Sequence, residues 1–100
     1  MSVCWVSFRL CDDAGYARTH EALAESLQRL STSKWWFETT SFYIVDCPSG
    51  ARGVTAEVTR ILREDRDIAV VGSFGFKTCN VIGAVEDQDI FDLVEFAKKV

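Results

Sequence analysis

Asp12 and Asp13 are neighbouring carboxylates, the oxygen ligands that a hard cation such as Mg or Mn takes. The same pair also suits a turn, where short acidic side chains hydrogen-bond their own backbone. His20, the sole histidine, is a candidate general base beside Asp12 or Asp13, yet its place on an apolar stripe favours a boundary position. Cys47 precedes a helix entry that would activate a thiolate, and a Cys-His dyad would require it to converge with His20. Cys4, Cys11, Cys47 and Cys79 contain no CxxC pair and read as reduced, mostly buried thiols rather than zinc ligands. Gly72-Ser73-Phe74-Gly75 lacks the Lys and the helix start of a phosphate loop. Trp35, Trp36 and Phe37 offer ring faces for stacking bases, against the alternative of core packing and a dimer interface.

Bulk properties narrow the classes. A chain of 100 residues with 48% apolar and 26% charged positions is expected to form one domain over 1–100 with a real core. No apolar run approaches the roughly 20 residues that span a bilayer. The start, MSVCWVSFRL, lacks a basic region followed by an apolar stretch and a cleavage site, which points to the cytoplasm. A net charge of -4 weighs against a generic nucleic-acid binder, although Arg52, Arg60, Arg63 and Arg66 are grouped. Those arginines, and the acidic set Glu86, Asp87, Asp89, Asp92 and Glu95, read as solvated helix faces.

The elements that must position these groups follow from periodicity. Val3 to Leu10 alternates, with Cys4, Val6, Phe8 and Leu10 on one face and Val3, Trp5, Ser7 and Arg9 on the other. After the turn at Cys11 to Gly15, Tyr16, His20, Leu23, Leu27 and Leu30 form one helical stripe. Trp35 to Phe37 and Thr39 to Val45 predict a strand pair interrupted near Glu38. Pro48 turns the chain, and Ser49 or Gly50 begins a second helix carrying Val54, Val58, Ile61 and Leu62. Ile68 to Phe76 and Cys79 to Val85 predict two more strands. A terminal helix capped by Asp87 or Asp89 is expected to bury Ile90, Leu93, Val94 and Ala97.

This order predicts an α+β protein, a ferredoxin-like βαββαβ sandwich with an extra C-terminal strand and helix. Both main helices then share one sheet face. The other face carries Trp5 and part of the aromatic stretch, an apolar surface that a symmetric homodimer would hide unless the terminal helix covers it. Trp5 and Trp35 are the expected interface residues.

Three stretches carry a resemblance: a first strand ending in acids (VSFRLCDD), a polar-aromatic strand pair after the first helix (TTSFYIVDC), and a second helix leading into a hydrophobic strand. In element order, residues 1 to 76 resemble the small CRISPR adaptation subunit, the dimeric partner of the spacer integrase, and its VapD-like toxin relatives. In that family an Asp near the end of the first strand binds a divalent metal at the dimer axis, in the enzymes proposed to cut nucleic acid. Arg9 stands where that acid would be expected, and Asp12 and Asp13 follow in the turn. Ser41, ahead of Phe42 and Tyr43, matches the family's serine in the strand pair. The resemblance, with the acid displaced, implies a non-catalytic dimeric adaptor or assembly module without a cofactor, open to a further protein partner. The alternatives are a Mg- or Mn-dependent endonuclease using Asp12 and Asp13, and a small-molecule or nucleotide sensor.

Overall fold

A computed structural model describes residues 2–32 and 34–100. Strand β1, Val3–Arg9, follows its alternation: Cys4, Val6 and Phe8 are buried, Trp5 is half-buried, and Val3, Ser7 and Arg9 are exposed. Helix α1, Tyr16–Leu30, buries Leu23 and Leu27 one turn apart and places Arg29 in its last turn, where a cation opposes the exposed carbonyls. Strand β2 is only Trp35–Trp36, and β3 is Phe42–Asp46. The expected interruption is wider than one residue, because the chain bends over residues 37–41 and Ser41 adopts a left-handed φ of 61°.

Helix α2, Gly50–Ile61, starts after Ser49 and buries Val54 and Val58, with Leu62 just past its end. Strands β4, Ile68–Ser73, and β5, Cys79–Gly83, complete an antiparallel series. Phe74 and Phe76, expected within the strand, lie in the connecting turn and are largely exposed. A short helix α3, Ile90–Leu93, leads into strand β6, Ala97–Lys99, which runs parallel to β5.

The molecule is therefore a mixed α+β fold with a six-stranded sheet, ordered β2-β3-β1-β4-β5-β6, and three described helices. The expected terminal helix needs correction: Ala97 belongs to a strand, and the stripe of Ile90, Leu93, Val94 and Ala97 is not one buried helix face. Helical spacing cannot register a sheet edge. An unpaired β5 would present a row of free backbone groups, which Ala97–Lys99 satisfy. Asp89 occupies the position before α3 without capping it through its side chain, and its own N–H donates to Asp87 Oδ1 at 3.0 Å.

Leu23, Leu27, Val54 and Val58 share one buried cluster with Val6, Tyr43, Val45, Val71 and Ile82, so α1 and α2 occupy the same side of the sheet as expected. On the opposite side, one cross-strand row runs Trp36, Ile44, Trp5, Gly72, Cys79, Ala97. A Cβ at Gly72 would overlap the Trp5 ring, so the glycine lets the indole lie flat across β4. Residues 85–94 stand beside the β4–β5 end of this face, together with Ile68, Val70 and Val81. Val81 is fully buried yet lies outside the helix-side cluster. Leu27 is fully buried among these side chains, so Leu27→Ala is expected to lower stability by about 2 to 5 kcal/mol in denaturant titrations.

Candidate functional site

Asp67, the residue before β4, is 0% exposed. Arg63, four residues earlier, meets its carboxylate with a fork: Nε donates to Oδ2 and Nη2 to Oδ1, both at 3.0 Å. The backbone N–H groups of Cys11 and Arg63 donate to the same carboxylate at 2.8 and 3.0 Å. Burial alone would raise the Asp67 pKa, but these donors outweigh it and hold the group below its ordinary value.

Asp13 extends the node. Its Oδ1 accepts from Arg63 and from the Gly15 N–H, and its Oδ2 accepts from Arg66 at 3.2 Å. The Arg63 hydrogen bond is the main reason its pKa falls to about 2. Asp12 is exposed and makes no ion pair with Arg63 or Arg66 among the described residues. The two neighbouring carboxylates thus face different environments, with Asp13 neutralised by two guanidinium groups. No group of three His, Cys, Asp or Glu able to hold a metal occurs among the described residues. Arg9, at the place of the displaced acid, is exposed on the face opposite α1 and α2, near Glu86, Asp87 and Asp89.

His20 packs against the rings of Phe8, Tyr16 and Phe37, the boundary environment its stripe implied. Cys47 is buried, with Sγ 3.1 Å from Ser49 Oγ, and forms no hydrogen bond with His20 among the described residues. The four cysteines are free, and burial pushes the Cys4 and Cys79 thiols up, away from thiolate chemistry.

The tryptophans separate by face. Trp36 pairs with Ile44 and so joins Trp5 on the side opposite α1 and α2, whereas Trp35 pairs with Val45 on the side of α1 and α2, beside Tyr43. Phe42 links the first two: its ring centroid is 6.4 Å from that of Trp5, stacked, and 6.4 Å from that of Trp36, edge-on. With Ile44 and the exposed Val3, these rings make an apolar surface that neither α1 nor α2 covers. Sequence reasoning missed Trp36, Phe42 and Ile44 as a group because the face of Trp36 depends on its register with β3. It also missed Asp67, whose signal was an acid four residues after Arg63 and directly before an apolar strand.

No family model, curated protein or solved structure matches the chain.

The carboxylate node sets an acid dependence. Asp13 and Asp67 have depressed folded-state pKa values, and Glu57, bound by Arg60 and Ser26, falls to about 2. Their contribution to stability is complete above the ordinary values of 3.8 and 4.5 and is lost as pH falls through the depressed folded values. Denaturant midpoints are expected to hold from neutral pH down to about 5 and then drop steeply towards 2. Asp67→Asn, which leaves Arg63 without its buried partner, is expected to cost about 3 to 5 kcal/mol at neutral pH and to flatten this acid slope.

Proposed function

We propose that this chain is a non-catalytic, homodimeric assembly module that pairs through the sheet face opposite α1 and α2, at its β1–β3–β2 end, an adaptor of the kind represented by the small CRISPR adaptation subunit. The observation that carries this reading is the continuous surface of Trp36, Ile44, Phe42 and Trp5, with Trp36 and Val3 respectively 40% and 44% exposed. Apolar patches of this kind mark interfaces, and a two-fold axis lets one such patch cover its own copy. The ferredoxin-like part of the reading is supported by the antiparallel order β2-β3-β1-β4 with α1 and α2 on one side. In it, β5, α3 and β6 extend the sheet beyond that four-stranded unit. The non-catalytic part is supported by Asp13, whose two oxygens already accept from Arg63 and Arg66, so a divalent metal there would have to displace both cations.

Analytical ultracentrifugation tests the assembly. The wild-type protein is expected to sediment as a dimer at micromolar concentration, and Trp36→Glu to shift it towards monomer with unchanged circular dichroism. Trp35→Glu, on the helix side of the sheet, is expected to leave the dimer in place. A wild-type monomer at high micromolar concentration overturns the proposal.

Incubation of the purified protein with RNA or DNA in the presence of Mg or Mn is expected to leave both intact. Metal-dependent cleavage abolished by Asp12→Ala, an exposed position whose change leaves the node untouched, would make the chain a nuclease instead.

A further inference from the structure

The helix side of the sheet carries a second feature, distinct from the aromatic face. A cleft of about 470 Å³ opens where the start of α2 meets the ends of β4, β5 and β6. Its charged side chains are both cations, Arg52 from α2 and Lys98 from β6, in a chain whose net charge is -4. Neither forms an ion pair among the described residues, whereas Arg60, Arg63 and Arg66 all do. Two unpaired cations converging from separate elements on one concavity set up a field that favours an anion.

The floor of the cleft is rich in donors. Thr55 is 7% exposed and lines it, and its hydroxyl oxygen accepts from Asn80 Nδ2 at 3.1 Å. That bond leaves the Thr55 hydroxyl hydrogen and the second Asn80 N–H as donors without a described acceptor. At the rim the Val100 backbone oxygen accepts from Lys99 Nζ at 3.2 Å, so this acceptor is already paired. Phe76 also lines the cleft and is 79% exposed, which puts an aromatic side chain on the same concavity as the cations. Its turn is held by the Phe76 carbonyl, which accepts from the Thr78 N–H at 2.8 Å and from Ser73 Oγ at 3.3 Å.

From this convergence we infer that the cleft binds a nucleoside monophosphate, with the phosphate held by Arg52, Lys98 and the Thr55–Asn80 floor and the base stacked on Phe76. A planar guanidinium matches phosphate oxygens with paired donors, and an aromatic ring stacks on any base. The volume falls within the range of small-ligand sites, about 300 to 1,000 Å³.

Isothermal titration calorimetry with adenosine monophosphate, at low ionic strength, tests the inference. Saturable binding is expected, weakening as salt rises, with inorganic phosphate competing and adenosine alone not binding. Arg52→Glu and Lys98→Glu, both at exposed positions, are each expected to weaken binding by about tenfold or more while the circular dichroism spectrum is unchanged. Phe76→Ala is expected to weaken adenosine monophosphate and to leave inorganic phosphate unaffected. Absence of saturable binding to the folded protein, equal affinity for adenosine, or unchanged affinity in a folded variant carrying both Arg52→Glu and Lys98→Glu would each overturn the assignment. Tighter binding of a 5′-phosphorylated oligonucleotide than of adenosine monophosphate would overturn the mononucleotide as occupant.

Discussion

The buried carboxylate of Asp67 is the constraint on which the arrangement of this fold depends. A fully buried charge is tolerated only when it is paired and hydrogen-bonded, and Asp67 meets that condition with donors from two places in the chain. Cys11 brings the turn after β1, and Arg63 brings the end of α2. The Asp67 carbonyl adds a third attachment, accepting from the Ala84 N–H at 2.8 Å just beyond β5. Gly83 has a φ of +97°, and a Cβ there would overlap that carbonyl, so glycine is what permits the close approach. One residue thereby joins the ends of β1, α2 and β5 to the start of β4.

With that end of the sheet fixed, the two faces acquire different characters. The helix side is closed by α1 and α2 over Val6, Tyr43, Val45 and Val71. The other side is divided along its width: residues 85–94 stand over the β4–β5 end, and the β1, β3 and β2 end keeps its aromatic surface. Gly72 marks the division. By leaving room for the Trp5 ring, it lets an indole from β1 lie across β4 and keeps Trp5 only half-exposed. Trp36, on the edge strand β2, is more open to solvent, which makes it the most consequential ring for any association through this face.

The legible parts of the sequence were those governed by local periodicity. Leu23 and Leu27 announce α1, Val54 and Val58 announce α2, and the alternation from Cys4 to Phe8 announces β1, each because one buried face repeats at a fixed interval. The illegible parts depend on partners far along the chain. The faces of Trp35 and Trp36 are decided by pairing with Val45 and Ile44, and a one-residue change of register would exchange them. Ala97–Lys99 form a strand because β5 offers an edge, a fact absent from residues 90–100 themselves. The arginines grouped near the end of α2 looked like a solvated face, yet Arg63 and Arg66 reach back to Asp13 across the fold.

The C-terminal strand decides where the cationic cleft lies. As a continuation of α3, residues 97–99 would have placed Lys98 according to a helical face. As a strand parallel to β5, they place Lys98 opposite Asn80, whose amide reaches Thr55 of α2. Neighbouring strands project their paired residues to the same side, so Lys98 is directed to the side where α2 and Arg52 lie. The cationic cleft therefore exists only because the chain closes its sheet edge with β6, whereas the aromatic face is built from β1, β2 and β3 on the opposite side. Pairing of two copies through that face would leave the cleft of each copy open to solvent, so assembly and ligand capture need not compete for the same surface.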